Sequence, residues 1–194
     1  MRERRLAPEA RLFFGVITGF EGLFEVARER LAARFGPLSA EEESPVFPFP
    51  ATRTYSKSMG QGPLLRKFFF LERHWPQDGL AEVKLATIGI EAEIQAGGQF
   101  PVSRAINIDP GLLNDCRIVL ASTKDHSHRI YRGKGIWEEI TLVFREGGYR
   151  TLPWTYPDFQ SPAYAAYFTP IREAYLTRSN APPPAPGPDR RPPP

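Results

Sequence analysis

One cysteine, Cys116, stands in 194 residues, so no internal disulfide can form. It sits in the apolar run Cys116-Arg117-Ile118-Val119-Leu120, where a free cysteine reads as a small core residue rather than a nucleophile. No apolar stretch approaches the ~20 residues of a membrane span. The basic start Arg2-Glu3-Arg4-Arg5 is followed by Glu9 and Arg11, not by the apolar segment of a secretion signal. These absences lead to the expectation of a soluble protein in a reducing, cytoplasmic setting, with no membrane partner. A surplus of one charge is missing as well. The formal net charge is +3: residues 2–5 carry +2, residues 189–191 carry +1, and residues 6–188 are neutral. A neutral body lacks the rows of unpaired Lys and Arg that phosphate backbones require, so nucleic acid is not an expected partner. The familiar short motifs are absent too: no G-x-x-x-x-G-K-[ST], no G-x-G-x-x-G, no G-x-S-x-G and no H-E-x-x-H. Arg132-Gly133-Lys134-Gly135 opens no helix and reads as a hairpin turn.

What is present has the patterning of one globular domain with a sizeable core. Leu12 to Ile17 is a continuous apolar run that suits a buried strand. Phe20, Phe24, Ala27 and Leu31 fall at helical spacing, with Glu25, Arg28, Glu29 and Arg30 largely on the other face. Pro45, Pro48 and Pro50 confine residues 41–50 to a sheet edge or a loop. Residues 52–63 read as a polar loop, with Tyr55 and Lys57 either covering a site or meeting solvent. Leu64 to Glu72 is a strong strand. Asp78 is placed to cap a second helix, whose stripe is Leu80, Val83, Thr87, Ile90 and Ile94. Glu91 lies about 100° round the helix from Ile90, so truncating Ile90 is expected to cost several times more stability than truncating Glu91. Arg104 to Ile108 reads as a strand ending in a turn at Asp109-Pro110-Gly111. Ile118 to Ser122 is a short apolar strand. His128–Tyr131 and Ile136–Phe144 form a hairpin, and Gly147-Gly148 turns the chain again. Pro162 to Thr177 is a last helix, kinked or broken near Pro170.

The first six elements follow the split βαβ order of ferredoxin-like folds. The expected fold class is therefore α+β: a ferredoxin-like βαββαβ sandwich with both main helices on one face, extended by a β-hairpin and a C-terminal helix. A doubly wound α/β sheet would need more βα alternation. The expected organisation is a disordered basic N-terminus over 1–9, a single α+β domain over 10–180 and a disordered proline-rich tail over 181–194. That tail has eight prolines in fourteen positions and nothing to bury, so its removal should leave the fold intact.

Candidate site residues concentrate between Arg104 and Asp158. If Thr123-Lys124-Asp125-His126-Ser127-His128-Arg129 is extended in part, His126 and His128 share a face. Paired imidazoles suit acid–base work or metal binding. A metal would need Asp109, Asp125 or His74 to complete the shell; no metal is assigned. Lys124 offers a point charge and Arg129 a planar bidentate fork, which suits an anion. The same residues would also serve as a solvated turn that ties the hairpin down. Asn107 and Asp109 alternate with Ile106 and Ile108 and face one side, where Asp109 either holds a ligand or caps the turn. Pro153-Trp154-Thr155-Tyr156-Pro157-Asp158 is either a stacking wall or a packing corner.

Four segments resemble a bacterial family of unknown function, domain-of-unknown-function family 4416. They are Asn107-Ile108-Asp109-Pro110-Gly111, Ala121 to Tyr131, Gly135-Ile136-Trp137-Glu138-Glu139-Ile140-Thr141-Leu142, and Leu152-Pro153-Trp154-Thr155-Tyr156-Pro157-Asp158. The resemblance covers most of residues 10–178 and brings no established activity. Some relatives carry a GTP-binding label, but this chain has no GTPase-type phosphate loop and no N-K-x-D guanine reader.

Three functions fit, in this order. The first is a site for a small anionic ligand, a phosphorylated small molecule or nucleotide. Lys124 and Arg129 would hold the phosphate and Asn107 and Tyr131 would line the site. His126 or His128 would do acid–base work, with Asp109 as orienter. The second is a non-catalytic protein-interaction module that uses the hairpin and the tail. The third is an RNA-binding ferredoxin-like domain, with Phe68, Phe70 or Tyr131 as stacking platforms. The sequence names no cofactor and no reaction.

Overall fold

A computed structural model describes residues 6–50 and 52–179; the tail expected at 181–194 and most of the basic N-terminus lie outside the described residues. The strands are β1 (Ala10–Thr18), β2 (Phe47–Phe49), β3 (Leu64–Trp75), β4 (Ile106–Leu113), β5 (Arg117–Ser122), β6 (Ile130–Gly133), β7 (Ile136–Arg145) and β8 (Gly148–Thr151). The helices are α1 (Leu23–Phe35), α2 (Arg53–Met59), α3 (Leu80–Gly97) and α4 (Pro162–Ser179). The apolar run at Leu12 gives β1, buried along its whole length. The proline-interrupted segment gives β2, three residues at a sheet edge. The hairpin joins β6 to β7, and Glu146 and Gly147, both at positive φ, turn β7 into β8.

The fold is α+β, but it is not the four-stranded ferredoxin-like sandwich. All pairings are antiparallel, and the order is β2-β3-β1-β4-β5-β7-β6, with β8 beside β6 on β7. The expected sandwich is extended by a hairpin alone; here β5 pairs with β4 and carries the sheet onward to β7, with β6 and β8 beyond it. The two main helices do share one face. There Leu12, Phe14 and Val16 of β1 pack with Leu23, Ala27 and Leu31 of α1 and Val83, Ile90 and Ile94 of α3. The alternate residues, Phe13 of β1 and Phe68 and Phe70 of β3, face the other way. They pack under Phe159 and under Tyr164, Phe168 and Ile171 of α4. Phe168 lies 5.0 Å from Phe68 and 5.4 Å from Phe13, ring centroid to centroid, so α4 seals this face with aromatic contacts. Pro170 removes one helical hydrogen bond, yet α4 runs through it unbroken.

Four further expectations fail for local reasons. The polar segment at 53–59 is helix α2, because Met59 and Tyr55 pack on Ile17, Phe49 and Leu64. Asp78 caps nothing: it lies in a 3-10 turn, and the residue before α3 is Gly79 without a side-chain cap. Cys116 is exposed, because it lies in the tight turn between β4 and β5. Asp109-Pro110-Gly111 is no turn; it runs inside β4, paired with Gly15, Phe14 and Phe13 of β1.

Pro110 then has a different consequence. Along an antiparallel strand the backbone groups alternate between the two neighbours. Asn114 donates to Arg117 O at 3.1 Å, so the backbone groups of residues 112, 110 and 108 also face the β5 side. Pro110 has no N–H to give. The β4–β5 ladder stops after Gly111 pairs with Leu120, while β5 continues beside β7 to Ser122. The sheet therefore splits, and the first half of β4 is left with an open edge.

Gly111 fits only as glycine. A Cβ there would lie 2.4 Å from Phe13 Cζ and 2.7 Å from Leu120 Cδ2. Gly111→Ala should destabilise the fold by roughly 1–3 kcal/mol through overpacking. Gly89→Ala on α3, where a Cβ meets nothing within 4 Å, should stabilise it by up to about 1 kcal/mol. Urea unfolding of both variants checks the pair, and the reverse order would contradict this packing.

Candidate functional site

The split between β4 and β5 opens a cleft of about 550 Å³. Its first wall is built by α3. Lys84, Thr87, Glu91 and Gln95 lie on one face of that helix, beside the apolar stripe. This polar edge takes the place of the missing strand. Lys84 Nζ donates to Ile108 O at 2.8 Å, and Thr87 Oγ1 lies 3.4 Å from the same oxygen. Ile108 N donates to Glu91 Oε1 at 2.8 Å, and Ala105 N donates to Gln95 Oε1 at 2.7 Å. Buried backbone groups need partners, and here side chains supply them. Glu91 is consequently no surface residue: its other oxygen accepts from Arg104 Nη2 at 2.7 Å. Ile90 is buried on the stripe as expected, whereas Glu91 is not free in solvent but bonds to the sheet edge.

The floor is a chain of ion pairs on β3 and β4. Asn107 and Asp109 share a face, as their alternation implies, and Asn107 Nδ2 donates to Asp109 Oδ2 at 2.7 Å. Lys84 Nζ reaches Asp109 Oδ1 at 3.2 Å, and the buried Arg66, which pairs with Ile17 of β1, reaches Oδ2 at 3.4 Å diagonally across that strand. Arg66 Nη1 lies 2.7 Å from Asp158 Oδ2, and its guanidinium lies over the rings of Phe49 and Phe159. Burial alone would raise the Asp109 pKa. Lys84 first, then Arg66, the Asn107 amide and Arg104 outweigh it, so the carboxyl is held below its ordinary value. Burial, helped by Asp109, pushes the Tyr55 phenol above its ordinary range. Tyr55 therefore enters the cleft protonated, as a hydrogen-bond donor.

The opposite wall centres on Glu139 of β7, a buried carboxylate. Its Oε2 accepts from Arg129 Nε at 2.7 Å and lies 3.0 Å from His128 Nε2. Arg129 Nη1 donates to Ser122 Oγ at 2.8 Å and to Lys124 O at 2.7 Å, and Nη2 donates to the Tyr156 hydroxyl. Four of the five Arg129 N–H groups thus go to protein contacts, which pin the loop that follows β5. His126, His128 and Trp154 stack in parallel, at 5.7 Å and 5.2 Å between successive rings. Lys124 and His126 stand exposed at the mouth.

Six of the seven residues singled out in the sequence line this one cleft: Asn107, Asp109, Lys124, His126, His128 and Arg129. Tyr131 does not. It is 59% exposed on β6, packs on Trp137 and accepts from Gly135 N. Phe68 and Phe70 are buried under α4 and cannot serve as stacking platforms. The sequence reading missed Arg66, Lys84, Glu91 and Glu139. The spacing Lys84, Thr87, Glu91, Gln95 was the available signal for two of them. Arg66 stands beside Lys67 and Glu139 beside Glu138 in otherwise largely apolar strands, and the sequence does not mark which member of each pair turns inward. Among the described residues no three His, Cys, Asp or Glu side chains are grouped to hold a metal ion, and no helix is long and apolar enough to cross a membrane.

Residues 8–175 match the family model described as Domain of unknown function (DUF4416), and the chain belongs to that family. Comparison with curated proteins and with solved structures gave no match.

The depressed Asp109 pKa fixes the sign of a pH effect. Its stabilisation is fully present above the ordinary aspartate value of about 3.9 and is lost as the pH falls through the lower folded value. Asp109→Asn should be less stable than the parent near neutrality and should lose less stability on acidification below about pH 5. Urea titrations across that range check this; parallel pH profiles would show that Asp109 contributes nothing.

Proposed function

We propose that the cleft binds a small phosphorylated molecule or nucleotide. The observation that carries this reading is the charge arrangement. Five cations line the cleft (Arg66, Lys84, Arg104, Lys124 and Arg129) against four carboxylates (Glu91, Asp109, Glu139 and Asp158). Four of the cations are paired within the wall and floor. Lys124 has no carboxylate partner among the described residues. An anion at the mouth would complete the set, met by the Lys124 ammonium and the His126 imidazole. The volume suits a ligand of nucleotide or sugar-phosphate size. Trp154 and Tyr156 offer partly exposed ring surface beside the mouth, and the Tyr55 hydroxyl is a donor with no partner among the described residues.

Arg129 has a different part from the one its fork suggests: it positions the loop that carries Lys124 and the histidines. A protein-interaction role has one observation in its favour. Edge strand β6 presents Ile130, 70% exposed, and Tyr131 to solvent.

A thermal-shift series with inorganic phosphate, nucleoside monophosphates and sugar phosphates, beside their unphosphorylated counterparts, tests the proposal. A phosphorylated ligand at 100 times its Kd should stabilise the fold by about 2.7 kcal/mol, or roughly 5–10 °C for a chain of this size. Lys124→Ala should remove that shift and leave the unliganded melting temperature within a degree or two, because the side chain is exposed and unpaired. Equal shifts with unphosphorylated compounds, or full retention in Lys124→Ala, would contradict the proposal.

A further inference from the structure

We infer that the cleft is built to move a proton to or from its ligand, that His128 is the group that does so, and that Glu139 is its positioning carboxylate. This deepens the reading of the cleft as an anion site and rests on it. Glu139 Oε2 lies 3.0 Å from His128 Nε2 and already accepts from Arg129 Nε, so it is an acceptor and holds a proton on Nε2. In a neutral imidazole the other nitrogen, Nδ1, then carries the lone pair. His128 Nδ1 meets no hydrogen-bond partner among the described residues, and the residue lines the cleft.

The ring is fixed in the remaining directions too. It lies between His126 and Trp154, within 5° and 6° of parallel to them, and Trp154 is itself anchored by its Nε1 donating to Ile140 O at 2.8 Å. One nitrogen oriented by a carboxylate and the other left open is the arrangement by which imidazole takes a proton from one oxygen and returns it to another. Loop anchoring does not account for it, because Arg129 already ties the same loop to Ser122, Glu139 and Tyr156.

The charged and titratable groups around His128 are Glu139 from β7, His126, Lys124 and Arg129 from its own loop, Tyr156 after β8, and Asp109 across the cleft. Asp109 cannot orient the imidazole, because its oxygens are committed to Asn107, Lys84 and Arg66. The ligand class follows from this chemistry: an oxyacid whose oxygen gains and loses a proton near neutrality, as a phosphate monoester does with its second pKa near 6. The proton passes between that oxygen, or a water beside it, and Nδ1; no bond forms between ligand and ring.

The test is nitrogen NMR of the full chain with ring-labelled histidine, titrated with inorganic phosphate. In the free protein His128 should show the Nε2-protonated tautomer. Phosphate should move its Nδ1 resonance from the lone-pair value toward the protonated value and leave His74 unmoved. Phosphorus NMR of the bound phosphate, recorded below its second pKa, supplies a second readout, because its shift reports whether the phosphate holds the proton or has passed it to Nδ1. His128→Gln keeps an N–H for Glu139 and deletes Nδ1, so phosphate should still bind while its phosphorus shift stays that of the protonated form. If phosphate binds but the Nδ1 resonance stays still, or if phosphate bound to His128→Gln loses its proton as it does on the parent, this inference is overturned and the anion site stands. If phosphate does not bind at all, the anion site falls and the inference falls with it.

Discussion

The hydrogen bonds from α3 to the open edge of β4 are the constraint on which the rest of the site depends. Pro110 ends the β4–β5 ladder, and that leaves the Ile108 N–H and C=O without a strand to meet. A buried backbone group left alone costs about 1–3 kcal/mol. Lys84 and Glu91 remove that cost by bonding to both groups of Ile108. In doing so they place an ammonium and a carboxylate in the space that β5 vacates. The stretch that splits the sheet and the helix face that tolerates the split therefore make the cleft together. Neither alone would: an unsplit ladder leaves no room, and an apolar α3 leaves β4 unsatisfied.

A second consequence concerns charge. Buried ion pairs seldom repay their desolvation, and apolar residues of similar size often stabilise a fold as well or better. This fold nevertheless buries Arg66, Lys84, Asp158, Glu139 and the side chain of Arg129 around one cavity. A fold shaped by stability alone has little reason to do so, whereas preorganised charges that need no rearrangement on binding are what a ligand site requires. Arg66 and Asp109 define the floor, Arg129 and Glu139 fix the far wall, and Lys124 is left at the mouth with its charge unmatched.

The sequence was most legible where a single periodicity decides the outcome. The apolar run of β1, the phenylalanines of β3 and the stripe of α3 all stand where their patterns put them. The placement of Asn107, Asp109, Lys124, His126, His128 and Arg129 around one cavity was also legible, because polar residues crowd between short strands there. The failures share one cause: tertiary context overrode a local signal. Asp109-Pro110-Gly111 has the composition of a turn, yet pairing with β1 holds it extended. Glu91 falls off the apolar stripe, yet the sheet edge it serves is created by a proline far along the chain. Asp78 has the composition of a helix cap, yet it lies in a 3-10 turn and Gly79 precedes α3. The strand order past β4 was not legible at all, since nothing local says that β5 adds to β4 or that α4 crosses to the opposite face.

The central claim, that side chains of α3 stand in for a strand along β4, is tested most directly by amide hydrogen exchange at Ile108. That N–H points at Glu91 rather than at another strand. In Glu91→Ala the account predicts that Ile108 loses protection while Leu112, still paired with Val119 of β5, keeps the slow exchange of the global fold. Unchanged protection at Ile108, or an equal loss along the whole of β4, would contradict it.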